Sequence, residues 1–163
     1  MTWLERGARQ PYGVMLVLAA AVLLTDQLTK LWAVAALSDG DRIPVLPPLI
    51  HFRLLYNPGA AFSLGTGATW LFTLVAAAAV AGILYTARRL ASTRWALVLG
   101  ALLGGAASHL GDRLFRAPGF ARGHVVDFID YGPFVGNVAD IALVCGCAAL
   151  ALLSLRGVRL ANA

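Results

Sequence analysis

A chain of 163 residues has the length of one compact unit, yet its mean hydropathy is +0.76 and only 13% of its residues are charged, which excludes an ordinary soluble domain. The formal net charge of +5 has no aromatic-interleaved basic patch behind it, so it gives no reason to expect a nucleic-acid partner.

A bilayer-spanning helix needs about 20 predominantly apolar residues. Four stretches come near that length, at 12–37, 66–87, 95–111 and 137–155, and an all-α, four-span membrane protein occupying 1–163 as a single domain is expected. The first stretch contains Asp26-Gln-Leu-Thr-Lys30, with a carboxylate and an ammonium four residues apart on one helix face. In hydrocarbon such charges are tolerated only when matched and turned toward protein or water, so a structural ion pair is expected. The same charges argue against reading 1–36 as a cleavable signal peptide ending at Ala33-Val-Ala35.

The loop 38–65 follows. Prolines at 44, 47 and 48 exclude a helix, while the apolar and aromatic run 49–56 suits a strand ending in an Asn57-Pro-Gly turn. A small extracytoplasmic β-like element resting on the membrane is expected there. Asn57 either serves the turn alone or, having both donor and acceptor, grips a peptide backbone at the mouth of a site. The third stretch is short and should stand nearly upright. His109, Asp112 and Arg113 close it, with Asp112 three residues beyond His109 on the same face. Asp112 and Arg113 read either as a local salt bridge or as an arginine offered to a substrate carbonyl. His51 and His124 are the only other histidines, and no compact His/Cys cluster exists, so neither a metal nor another cofactor is expected.

The loop 112–136 contains enough Gly and Pro to be read as irregular, apart from a short turn around 124–129. Asp127 is expected to return toward Asp140 through Gly132-Pro133, whereas Asp130 reads as solvated. Asp140 falls in the first turn of the fourth helix, three residues after Asn137, and could simply cap that helix. Alternatively, two carboxylates meeting in a low-dielectric site would share one proton and hydrolyse a peptide bond without a metal or a covalent intermediate. Cys145 and Cys147 lie two apart, cannot pair, and read as small core residues.

Orientation follows from the basic residues, which collect in cytoplasmic segments. Four spans place Arg6, Arg9, Arg88, Arg89, Arg94, Arg156 and Arg159 on one side against Glu5 alone. The other side mixes Arg42, Arg53, Arg113, Arg116 and Arg122 with Asp39, Asp41, Asp112, Asp127 and Asp130. Both termini are therefore expected in the cytoplasm, with the acid-rich loops outside. Trp3 and Trp95 fall at the inner surface in this arrangement, and Trp32 and Trp70 at the outer one.

Five blocks in this order resemble the bacterial lipoprotein signal peptidase (signal peptidase II) family: Asp26-Gln-Leu-Thr-Lys30, Asn57-Pro-Gly-Ala-Ala-Phe62, Gly104-Gly-Ala106 with Asp112-Arg113, Gly123-His-Val-Val-Asp-Phe128, and Asn137-Val-Ala-Asp140. The resemblance runs over nearly the whole chain. It implies an aspartic intramembrane endopeptidase of the bacterial cytoplasmic membrane, probing lipid-borne substrates from a site near the outer surface. Such enzymes remove the signal peptide of prolipoproteins before a diacylglyceryl-modified cysteine. The implied catalytic pair is Asp127 and Asp140; Asn57, Arg113, Asn137 and His109 match substrate-binding positions, and Asp26, Lys30 and Asp112 supporting ones. The implied partners are diacylglyceryl-modified prolipoproteins and membrane lipids, and a monomer is expected. Departures from the family pattern are Ser108-His109 in place of Gly-Asn, Gly136 in place of Phe, Ile141 in place of Ser, and an extended loop through 115–122. They motivate an alternative, a non-cleaving paralogue that binds lipidated peptides.

Overall fold

The structure, a computed structural model, describes residues 3–59 and 68–161, with side chains from residue 10 onward. Expectations that rest on Ala60, Ala61 and Phe62, on the start of the second stretch at 66–67, and on the side chains of Trp3, Glu5, Arg6 and Arg9 lie outside these residues. The described elements run α1 (Trp3–Ala36), β1 (Ile43–Leu46), β2 (Ile50–Asn57), α2 (Thr69–Ala87), α3 (Thr93–Phe115), β3 (Val125–Asp130), β4 (Val135–Gly136) and α4 (Val138–Leu155).

Helices α2 and α4 are apolar on every face, and few of their residues are buried: Thr69, Thr73 and Ala87 in one, Ala139 and Gly146 in the other. Leu74, Val75, Val144 and Leu155 are exposed to the surroundings instead, the arrangement of a helix whose solvent is lipid. Among the described residues, three helical segments are long and apolar enough to cross a membrane, Gln10–Ala36, Thr69–Ala87 and Val138–Leu155. The remaining helix, α3, packs on each of the other three. Protein rather than lipid surrounds it, so it accommodates Gly, Ser, His, Asp and Arg. It also runs longer than the short stretch 95–111, to 23 residues, because its last turn finds polar partners inside the protein. Close approach to α1 depends on Gly104: a Cβ there would lie 2.6 Å from the Ala19 carbonyl oxygen. Met15, Ala19, Leu99 and Leu103 fill the core of this contact.

The all-α expectation is corrected by the sheet. Four antiparallel strands pair in the order β1-β2-β3-β4, two from each long loop. The β-like element is therefore not confined to the connection between the first two helices. Residues 124–129, read as a turn, belong instead mostly to β3, where Val125, Val126, Phe128 and Ile129 supply the β-branched and aromatic side chains a half-buried strand favours. Alternation along β3 sends Asp127 and Phe128 to opposite faces. Phe128 packs on Ala33 of α1 and on Leu37 just beyond its end, and edge-on against Trp32 and Phe52. That packing clamps the sheet to the end of α1 and fixes the direction in which Asp127 points.

Two further readings are corrected. Asp130 is not solvated: it is 2% exposed and paired with Arg53 at 3.0 Å and Arg42 at 3.2 Å, because β2 and β1 bring both arginines over the end of β3. Cys145 and Cys147 are exposed and not part of a core, because α4 buries only Ala139 and Gly146.

Candidate active site

The floor of the site is a buried ionic network built by α1 and α3. Lys30 Nζ lies 2.6 Å from Asp26 Oδ2 and 2.7 Å from Asp112 Oδ2, with all three side chains at most 1% exposed. The expected ion pair is present, and a second carboxylate completes it. Asp112 is not paired with Arg113, which its sequence position had suggested; its other oxygen accepts hydrogen bonds from Arg116 Nε at 2.6 Å and Gln27 Nε2 at 3.0 Å. Asp26 accepts from Ser108 Oγ at 2.6 Å and from the Ala139 N–H of α4 at 2.8 Å. One network thus ties α1, α3 and the first turn of α4. Buried charges are tolerated on this condition, that each finds a partner.

Arg113 is buried too, and its guanidinium donates to three backbone carbonyls. Nη1 reaches Asn57 at 3.1 Å and Gly123 at 3.0 Å, and Nη2 reaches Gly59. It therefore joins the end of β2 to the loop that leads into β3. Gly123 must be glycine for this: a Cβ would run into the Asp112 carbonyl oxygen. The Asn57-Pro-Gly turn closes locally, with the Gly59 N–H donating to Asn57 Oδ1 at 2.9 Å, and the other end of the Asn57 amide, Nδ2, donates to Asp127 Oδ2 at 3.0 Å. The turn reading and the site reading of Asn57 are served by opposite ends of one side chain.

Asn137 links the two aspartates. Its Nδ2 donates to Asp127 Oδ1 at 2.6 Å. Its Oδ1 accepts the Asp140 N–H at 3.0 Å, and its own N–H donates to Asp140 Oδ2 at 2.9 Å. The latter two bonds form a capping box at the start of α4, so the capping role considered for Asp140 is real and coexists with its place beside Asp127. The hairpin turn between β3 and β4 makes this approach possible: Gly132 adopts φ +93° and the Tyr131 N–H donates to the Phe134 carbonyl at 3.0 Å.

Asp127, Asp140, Asn57, Arg113 and His109 all border one cavity of about 570 Å³. Its remaining wall is mostly apolar, with Phe72, Val75 and Ala79 from α2 and Leu143 and Val144 from α4. Asn137 is fully buried behind the pair, and Asp26, Lys30 and Asp112 lie outside the cavity. Burial, reinforced by the charge of Asp140, pushes the Asp127 carboxyl up to about 6 against the opposing hydrogen bonds from Asn57 and Asn137. Sequence reasoning gave no role to Gln27, Ser108 or Arg116. Arg116 carries a detectable signal, since it lies four residues after Asp112 and pairs with it; Ser108 carries none, because its partner is 82 positions away.

Long apolar helices exposed to their surroundings, with two carboxylates on the wall of a mostly apolar cavity between them, are the features of a multi-pass membrane protein. The family model described as signal peptidase (SPase) II matches residues 18–156. The chain is 50% identical over 145 residues to the lipoprotein signal peptidase of Rhodococcus jostii, covering 88% of this chain and 73% of that one. It is 45% identical over 157 residues to the lipoprotein signal peptidase of Bifidobacterium longum subsp. infantis, covering 96% and 86%. A bacterial membrane enzyme solved by the in meso method at 2.3 Å resolution superposes with a TM-score of 0.76 at 25% identity, over 88% of each chain. The chain belongs to the signal peptidase II family.

Proposed function

We propose that this member of the signal peptidase II family is an aspartic endopeptidase that cleaves prolipoproteins before a diacylglyceryl-modified cysteine, with Asp127 and Asp140 as its catalytic pair. The observation that carries the reading is the Asn137 bridge, which holds two carboxylates together on the wall of a largely apolar cavity. Such a cavity suits acyl chains and a hydrophobic signal segment, with the peptide bond at the polar end.

Asp127, whose carboxyl is pushed up to about 6, is the member that holds the shared proton. Asp140 is the base. As water adds to the scissile carbonyl carbon, Asp140 takes a proton from it and Asp127 gives its own to the carbonyl oxygen, leaving an uncharged diol. The carbon–nitrogen bond then breaks as Asp140 passes its proton to the leaving amine, and Asp127 recovers a proton from a diol hydroxyl. Both groups return to their starting state. Asn57 and Asn137 hold Asp127 in place for both transfers, Arg113 holds the Asn57 turn, and the Asp26, Lys30 and Asp112 network supports α3 and α4 beneath them.

The distribution of basic residues supports a four-span topology, with α3 as the fourth span, both termini in the cytoplasm and the sheet and carboxylates near the outer surface of the cytoplasmic membrane. A lipidated substrate would then enter laterally from the bilayer while water arrives from outside. The test is cleavage of a diacylglyceryl-modified prolipoprotein in detergent by the Asp127→Asn and Asp140→Asn variants. Each should lose at least roughly 100-fold in turnover, and retained turnover in either variant would overturn the reading.

A further inference from the structure

The dipeptide Ser108-His109 of α3 is where the chain parts from the family pattern beside its own carboxylates. Ser108 reaches α1, and His109 reaches the first turn of α4. Ser108 Oγ donates to Asp26 Oδ2 at 2.6 Å, and Asp26 in turn accepts the Ala139 N–H. His109 Nε2 lies 3.1 Å from Asp140 Oδ1, with the imidazole 19% exposed. Asp140 Oδ2 is already taken by the Asn137 N–H, so the imidazole engages the remaining oxygen. With an atom fixed at each end, the carboxylate cannot turn. Gly136 leaves room for this setting, since a Cβ at that position would lie 3.0 Å from Asp140 Oδ2.

The surroundings of His109 contain few other charges. Asp140 faces it from α4, Asp127 from β3 and Arg113 from one turn further along α3, all on the same cavity. Lys30 of α1 and Tyr131 of the β3–β4 turn act on Asp140 from farther off. Helix α2 presents only Phe72, Val75, Ala76 and Ala79 to that cavity. Among the described residues, His109 is therefore the one side-chain base in hydrogen-bonding contact with Asp140.

We propose that His109 is a positioning residue for Asp140: its imidazole fixes the carboxylate's orientation and, by its own protonation, ties peptide cleavage to pH. This rests on the aspartic reading above and differs from direct contact with substrate. With Asp140 ionised, Nε2 must carry the hydrogen that lies between the two groups. A protonated imidazole places a full positive charge beside Asp140; a neutral amide at the same place donates a hydrogen bond without that charge.

The experiment compares pH profiles of kcat and KM for the full-length protein and its His109→Asn and His109→Ala variants on one lipidated prolipoprotein. In His109→Asn, the acid limb of kcat should move to higher pH by about half a unit or more, with KM little changed. In His109→Ala, kcat at the optimum should fall roughly 10- to 100-fold through loss of a charge-assisted hydrogen bond. A His109→Asn profile superimposable on that of the unaltered protein would overturn the proposal, as would a raised KM with kcat intact. Should the variants not fold, imidazole resonances report the same contact in the purified protein, with His51→Gln and His124→Gln used for assignment. The His109 signal should move in Asp140→Asn. Indifference of that signal to Asp140→Asn would sink the His109 assignment alone, whereas cleavage surviving in Asp140→Asn would sink the aspartic reading.

Discussion

Asp127→Asn tests the electrostatics of the site independently of catalysis. The Asp127 side chain is 2% exposed, and its carboxyl is raised from 3.8 to about 6, chiefly by burial. The folded chain thus keeps a proton that the unfolded chain has already released. Because the folded value lies above the unfolded one, the stabilisation is complete below about pH 3.8 and is lost as pH rises through about 6. A displacement of about two pH units corresponds to about 3 kcal/mol. The variant cannot titrate at this position. Its amide places an N–H against the donors of Asn57 or Asn137, which costs about 1–3 kcal/mol, but that cost is the same at every pH. The diagnostic quantity is therefore the pH dependence of the difference. Unfolding free energies would be measured by SDS titration in mixed micelles between about pH 4 and about pH 7.5. The stability of the unaltered protein relative to the variant should fall by about 2.5 kcal/mol across that range. A difference constant to within about 1 kcal/mol would refute the argument that burial holds this proton.

Two substitutions probe the scaffold. Lys30→Met leaves Asp26 and Asp112 buried without their shared cation, and should destabilise the protein by about 3–5 kcal/mol in the same unfolding assay. Gly104→Ala drives a methyl group toward the Ala19 carbonyl and should cost about 1–3 kcal/mol as α1 and α3 are forced apart.

The helices were legible because each contains a long, predominantly apolar stretch, the pattern that a lipid surrounding requires. α3 was legible only in its apolar middle. Its final turn, Asp112 to Phe115, is polar in sequence and helical in space because Lys30, Gln27 and Arg116 satisfy Asp112. No window along the chain can see a partner 82 positions away. The strand β3 was obscured for a different reason. Its flanking glycines and prolines carry the signals of an irregular loop, and most of its pairing comes from β2, some seventy residues earlier in the chain, while β4 meets only Ile129 and Asp130. The run Val125-Val126 with Phe128-Ile129 was nonetheless a readable β signal. Asp130 illustrates the consequence: as part of a loop it belongs in water, but once β3 pairs with β2, Arg53 and Arg42 cover it.

The candidate site was easier to locate than to interpret, because sequence spacing poses alternatives that the fold does not keep separate. At Asp140 the alternatives were a helix cap and a reactive carboxylate. The capping box uses Asp140 Oδ2 for the Asn137 N–H, which leaves Oδ1 for His109 and orients the carboxylate on the cavity wall. Asn137 in turn can brace Asp127 only because its backbone is fixed by the same box. The cap is thus the device that aims the carboxylate. A capping residue distant from a second acid would stabilise a helix and do nothing else. Here the hairpin at Gly132 returns the chain so that the capped turn of α4 meets β3, and an ordinary helix start brings Asp140 to the cavity that Asp127 also borders.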